Sequence, residues 1–178
     1  MLTYKIQEYD EIDKNFYRNE VLFEASRVDG MSMDDFIRGS IEGDKFFIAC
    51  YKDDKLISLM SCKTDEDGVS EVHTFVLPEY KKLSPEIINK QIDFVRKSGA
   101  KCVVTSCSSK NLAVKNFLIK RIGFEVIRFI PDTSAIKDGE RLDIYVFIKR
   151  FKKSYGNKRS SKVKAKSNQR RKRRNASR

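Results

Sequence analysis

The sequence has a single histidine, no tryptophan and only four cysteines among its 178 residues. The cysteines (Cys50, Cys62, Cys102 and Cys107) follow no spacing of a zinc site, and one histidine leaves little for a mixed Cys/His site. We therefore expect no metal. Since all four lie in apolar stretches, we interpret them as buried free thiols of a protein from a reducing compartment.

Long apolar runs are also missing, and none approaches the ~20 residues that a membrane-spanning helix needs. The stretch from Met1 to Phe16 has acidic side chains and no apolar segment of the kind found in signal peptides. We therefore expect a cytoplasmic protein without a membrane partner.

Acidic residues are absent from Lys149 to the end of the sequence, a stretch that holds 15 basic residues. Residues 1–148 carry 22 basic and 25 acidic residues, so their formal charge is about −3. We predict a folded domain over 1–151 and a disordered Lys/Arg-rich tail over 152–178. The tail has too few apolar residues to offset the entropy lost on ordering.

The tail contains five consecutive cations, which repel one another unless a polyanion binds them. A phosphate backbone is such a polyanion, and the release of its counterions favours binding. The residues predicted to contact DNA or RNA are Lys158, Arg159, Lys162, Lys164, Lys166, Arg170, Arg171, Lys172, Arg173 and Arg174. Base stacking is not expected to dominate because Tyr155 is the tail's one aromatic residue. A solubilising tail, a docking segment for an acidic protein and a nuclear-import signal remain open.

Hydrophobic spacing and turn residues predict the element order β-α-α-β-β-β-α-β-α-β-β in the body. The fold class is therefore α/β, with a mixed sheet flanked by helices. The predicted strands are 2–7, 46–51, 56–62, 69–77, 102–107, 124–130 and 142–148; the predicted helices are 10–27, 32–41, 85–98 and 111–122. A loop is expected from Pro78 to Pro85.

Three short stretches resemble the GNAT superfamily of N-acetyltransferases. Residues 51–57 (YKDDKLI) resemble the hairpin between that family's second and third strands. Residues 76–80 (VLPEY) are similar to the V-x-P-x-Y/F that ends its fourth strand, and residues 111–124 resemble its N…Y-E-K-x-G-F. The resemblance covers nearly all of 1–150. It implies a GNAT-like fold, acetyl-CoA as acyl donor and an amine as acceptor.

The resemblance also implies which residues contact the cofactor: Val76, Lys81, Lys82, Ser84 and Asn111. Where the family has R/Q-x-x-G-x-G/A, residues 81–86 read KKLSPE. The glycines that let backbone N–H groups approach a pyrophosphate are absent, and Pro85 removes one further N–H. Acetyl-CoA binding is therefore possible, but it is not expected to be strong. Asn111 fits equally well as the N-cap of its helix.

Two candidate catalytic residues, Glu71 and His73, are two positions apart on a predicted strand and therefore share one face. The resemblance implies that Glu71 is the general base toward the amine, with His73 beside it. Polar residues on an exposed sheet face are the alternative. Ile119 stands where many family members have a tyrosine that protonates the leaving thiolate, and it has no proton to give.

The sequence thus predicts a GNAT-fold protein with weakened or lost acyltransferase chemistry and a tail that binds nucleic acid. An active N-acetyltransferase that its tail directs to nucleic acid or nucleoprotein is the alternative. Small, glycine-poor chains of this kind also resemble bacteriophage proteins, so a virion protein is a third possibility. The oligomeric state is left open.

Overall fold

The computed structural model of this chain describes residues 1–43 and 45–151. Nine strands are present in this part of the chain: β1 Leu2–Gln7, β2 Phe46–Lys52, β3 Lys55–Thr64, β4 Val69–Val76, β5 Cys102–Ser108, β6 Glu125–Ile130, β7 Ile136–Lys137, β8 Glu140–Arg141 and β9 Ile144–Arg150. Its α-helices are α1 Glu20–Ser26, α2 Met33–Ile41, α3 Ser84–Lys97 and α4 Leu112–Phe117. The nucleic-acid residues predicted in the tail lie outside the described residues.

Seven strands form one sheet in the order β1-β2-β3-β4-β5-β9-β6, and β7 and β8 form a separate hairpin. All neighbours in the large sheet are antiparallel except β4 and β5, which are parallel. Those two strands pair only between 69–71 and 102–104. Beyond Glu71 and Val104 they no longer pair, and a gap opens between their C-terminal ends.

A helical layer covers each face of the sheet. Helix α2 and the turns before it bury Tyr17 and Phe36 against Phe75 of β4. Helix α3 and the end of α4 pack on the other face, around Val103 and Phe147. Alternation along β4 therefore directs Glu71, His73 and Phe75 toward the α1–α2 layer.

The predicted order of elements is confirmed, with three corrections. The turn predicted between the last two strands contains the short β7–β8 hairpin. The helix predicted over 10–27 is broken into 3₁₀ turns at Tyr9–Glu11 and Lys14–Arg18, followed by α1. The break arises because Asp13 accepts a hydrogen bond from the Asn15 N–H, and Asn19 accepts from two N–H groups that begin α1. The loop predicted after β4 is a 3₁₀ helix, Pro78–Leu83, that continues directly into α3.

Local signals in the sequence account for several element boundaries. Asp53 and Asp54 both adopt positive φ, 50° and 63°, in the two-residue turn between β2 and β3. Ser32 and Asp35 form a reciprocal capping box at the start of α2. After α4 the chain makes a π-helical turn, Leu118–Ile122, and Gly123 ends it in the left-handed conformation.

The four cysteines are free thiols, which confirms that part of the sequence-based interpretation. Cys50, Cys62 and Cys102 are buried, whereas Cys107 is half-buried. Burial raises the pKa of Cys62 to about 12. This thiol is therefore in its neutral, unreactive form near neutral pH.

Candidate functional site

The gap between β4 and β5 exposes backbone groups of β4. The Leu77 N–H donates to the Ile57 carbonyl of the neighbouring strand at 2.9 Å, so odd-numbered residues of β4 bond toward β3. The N–H and C=O groups of Thr74 and Val76 therefore point the other way, toward β5, beyond the last β4–β5 pair. They are available to hydrogen-bond a ligand that enters the gap.

The two predicted catalytic residues lie at the start of this gap and contact each other. The distance from His73 Nε2 to Glu71 Oε1 is 3.2 Å, and the two side chains are 44% and 60% exposed. Glu71 is the last β4 residue paired to β5, and His73 lies just past the point of separation. The structure thus brings the two residues together, on the predicted face.

A cavity of about 270 Å³ lies in front of this pair, lined by Gly39, Lys45, Ser61, Lys63, Glu71 and His73. The sequence did not indicate three of these residues as parts of a site: Lys45, Ser61 and Lys63. Strand register places Lys63 opposite Glu71 and Ser61 opposite His73, and the short turn between β3 and β4 could have suggested part of this alignment.

Lys45 closes one side of the cavity at the end of α2. Its Nζ donates to the Gly39 carbonyl at 2.9 Å and to the Ser40 carbonyl at 3.4 Å. Burial lowers the pKa of Lys45. Nearby Glu71 and Glu42 favour the charged form of Lys45, whereas nearby Lys63 disfavours it. A cation that bonds carbonyl groups at a helix C-terminus is favourably placed.

The predicted phosphate-contacting residues follow β4. Lys81 and Lys82 are exposed in the 3₁₀ helix, whereas Ser84 is only 8% exposed. The Ser84 N–H donates to the Lys81 carbonyl, and Pro85 has no N–H. This turn therefore offers lysine side chains rather than an open row of backbone N–H groups.

The other predicted cofactor contacts have structural roles in the fold. The Asn111 side chain accepts from the Val114 N–H at 3.1 Å and thus caps α4, one of its two predicted roles. The Val76 side chain packs in a small cluster with Ile87, while its backbone faces the gap. Ile119 is 37% exposed on the π-helical turn.

A bridge joins the α1–α2 connection to the β7–β8 hairpin. Asp29 accepts from the Asp138 N–H at 2.9 Å and the Gly139 N–H at 2.8 Å, and these bonds hold its pKa below the ordinary range. At the other end, Glu140 of the hairpin pairs with Lys110, which follows β5. The bridge thus connects the α1–α2 layer with the segment that follows β5, at the end where β4 and β5 separate.

The cavity has no neighbouring cluster of metal ligands. Within residues 1–43 and 45–151, no group of three or more His, Cys, Asp or Glu side chains is arranged to hold a metal ion. The helices of the same residues include none that is long and apolar enough to cross a bilayer.

Solved structures share this architecture. The N-acetyltransferase of Staphylococcus aureus Mu50 is 21% identical, with a TM-score of 0.65 over 84% of this chain and 97% of that protein. The ribosomal-protein-S18-alanine N-acetyltransferase of Escherichia coli is 17% identical, with a TM-score of 0.63 over 88% and 98% of the two chains. A Salmonella typhimurium protein assigned as an acetyltransferase and solved with its cofactor acetyl-CoA is 16% identical, with a TM-score of 0.63 over 86% and 96%.

The chain therefore has the fold of the GNAT N-acetyltransferases, as the sequence predicted. No family model matches the chain. Among curated proteins, the aspartate/glutamate leucyltransferases of Acinetobacter baumannii strains are 37% identical over 62 residues. That match spans 34% of this chain and 23% of the relative's length.

Proposed function

We propose that this chain transfers an acyl group from a coenzyme A thioester to an amine. The observation that carries the proposal is the contact between His73 and Glu71 at the start of the β4–β5 gap, in front of a polar cavity. An ordinary exposed sheet face does not offer such a gap. Of the two transferase interpretations that the sequence left open, the site favours the active one.

The residues around the gap fit an acyl thioester. The N–H groups of Thr74 and Val76 face the gap, and donors fixed in this way stabilise negative charge that develops on a carbonyl oxygen. Bound acetyl-CoA would supply the activated acyl group. Lys81 and Lys82 would contact its phosphates through side chains, without the backbone cradle of a glycine-rich loop. We therefore expect weaker donor binding than such a cradle provides.

The geometry favours His73 as the residue that accepts the amine proton. Its Nε2–H donates to Glu71, which leaves the Nδ1 lone pair as the base. His73 also lies beyond the last β4–β5 pair, whereas Glu71 lies within it. Glu71 then orients the imidazole through this hydrogen bond. This assignment reverses the roles that the resemblance implied for the two residues.

Donor binding can be tested by the thermal stability of the full-length protein with and without acetyl-CoA. A ligand that binds only the folded state adds about 2.7 kcal/mol at a hundredfold excess over its Kd. We expect a shift at millimolar acetyl-CoA that falls in Lys81→Ala/Lys82→Ala. Lys90→Ala/Lys97→Ala removes the same charge from α3 and should keep the shift. The absence of any shift, or an equal shift in both double variants, would contradict the proposed donor site.

The curated relatives give a second candidate for the donated group. Their name describes leucyl transfer, and 62 residues of this chain are 37% identical to them. An aminoacyl donor would use the same base, His73, and the same N–H groups in the gap. The two candidates separate in one assay, in which labelled acetyl and leucyl donors compete and the acyl group on the product is identified by mass.

We also propose that the Lys/Arg-rich tail binds nucleic acid, since its 13 basic residues from Lys152 onward have no acidic neighbour. Binding should weaken with salt, with log K falling by about 0.9 per phosphate neutralised on duplex DNA. Replacing 170–174 with glutamine should lower the slope by about 3–5 for all sequences alike. A slope that does not change would show that these five cations do not contact phosphates.

A further inference from the structure

We infer that the acceptor amine carries an anionic group, a carboxylate or a phosphate, and that Lys63 binds this group. The inference rests on the proposed function, because it assigns the acceptor to the cavity beside His73. It follows from how the charges are distributed among the lining residues rather than from their total.

Each ionisable side chain of the cavity except Lys63 has a partner within the fold. Lys45 bonds two carbonyl groups at the end of α2, and Glu71 accepts from His73. Lys63 is exposed at the rim, directly opposite Glu71, and its ammonium group takes part in no hydrogen bond or ion pair among the described residues. It is also close enough to Lys45 to disfavour the charge there. Glu71, directly opposite Lys63, offsets part of this repulsion, and an anion bound at the exposed Lys63 ammonium would offset more of it.

Register sets the distance between the anion and the amine. Lys63 lies directly opposite Glu71, and His73 is two residues further along the same face of β4. Diagonal neighbours of this kind are about 7–8 Å apart at the backbone. An acceptor whose anionic group contacts the Lys63 ammonium and whose amine contacts the His73 imidazole must therefore have these two groups a few bonds apart.

Charge outside the cavity supports the same acceptor class. Residues 152–178 carry 13 basic side chains and no acidic one, and the whole chain has a formal charge of +12. This net charge raises the concentration of anionic molecules near the protein and lowers that of polyamines. A polyamine acceptor would also meet repulsion from Lys45 and Lys63.

The test uses acceptors of equal length that differ in one end group: 4-aminobutyrate, 4-aminobutanamide and 1,4-diaminobutane, with 2-aminoethyl phosphate as the phosphate arm. Acetyl transfer by the full-length protein is measured for each. We expect kcat/KM to fall in the order anion, neutral amide, cation, with at least about a fivefold step between the first two. Comparison of kcat/KM for 4-aminobutyrate and for 2-aminoethyl phosphate identifies which of the two anions the site prefers. A preference for the neutral or cationic amine would overturn the inference.

Lys63→Glu should lower the preference for the anion by about tenfold, mainly through KM, because attraction becomes repulsion. Lys90→Glu makes the same change of net charge on exposed α3 and should leave the preference intact. Equal effects of the two variants would overturn the inference.

Transfer to none of the amines would contradict the proposed function, and binding then decides the inference by itself. Thermal shifts with 4-aminobutyrate and its amide are compared in the wild-type protein and Lys63→Glu. A shift that requires both the anion and Lys63 upholds the anion site, and the absence of such a shift overturns it.

Discussion

Replacing His73 with glutamine should lower kcat for acyl transfer by about 10²–10⁴-fold, the range that a positioned general base contributes. Glutamine has a similar shape and keeps a hydrogen-bond donor toward Glu71, but it cannot accept the amine proton. The KM for acetyl-CoA should change little, since the side chain lies on the α1–α2 face and not at Lys81 or Lys82.

The structure predicts a much smaller effect for Glu71→Gln. The carboxylate is 60% exposed and its partner is 44% exposed, so solvent screens the pair. Exposed pairs of this kind change an equilibrium by a factor of about 1.4 to 5, and we expect a loss of rate in that range. Because Glu71 acts through His73, the double variant should be no slower than His73→Gln alone.

Steady-state kinetics on the four proteins measure these effects, and rescue separates the two roles. Imidazole in the buffer should restore part of the activity of His73→Ala but none of the activity lost in Glu71→Gln. A loss of a hundredfold or more in Glu71→Gln, with a mild effect of His73→Gln, would refute the reasoning. It would return the role of base to Glu71.

Three further predictions concern stability and thiol reactivity. Ser32→Ala removes the acceptor for the Asp35 N–H at 3.1 Å. It should lower the free energy of unfolding, measured in urea titrations, by about 1 kcal/mol. An unchanged free energy would contradict the capping role. Cys62, with its pKa raised to about 12, should react with iodoacetamide at pH 8 more than about 1,000-fold slower than an ordinary exposed thiol, and comparable rates would show that it is accessible. Since the pKa of Asp29 is lowered, the stability it contributes is present above the unfolded carboxyl pKa of about 3.9 and is lost as pH falls through the native value. Acid unfolding of Asp29→Asn should therefore lack this part of the pH dependence, and identical acid profiles would contradict the bridge.

The sequence predicts most of the fold because its local signals agree with the tertiary structure. The Ser32 cap, the Asp53-Asp54 turn and Gly123 each mark a boundary that the structure confirms. The prediction for 10–27 was wrong because hydrophobic spacing there indicates which residues are buried but not whether the helix is continuous. Short polar side chains at Asp13 and Asn19 compete for the backbone and divide it.

The candidate site was predicted only in part, for a different reason. Glu71 and His73 share a strand, so alternation places them on one face. Lys45 and Lys63 reach the same cavity through pairing between strands, which depends on a register that local spacing does not contain. The early end of the β4–β5 pairing is likewise a tertiary feature, and it is what distinguishes the site from an ordinary polar surface.

The central claim is that this chain moves an acyl group from coenzyme A to an amine at His73. Its most direct test is the release of free coenzyme A thiol by the full-length protein, measured with and without amine and confirmed by the mass of the acylated product. We predict amine-dependent release by the wild-type protein and a loss of at least about a hundredfold in His73→Gln. Release that does not depend on an amine, or that His73→Gln leaves unchanged, would contradict it.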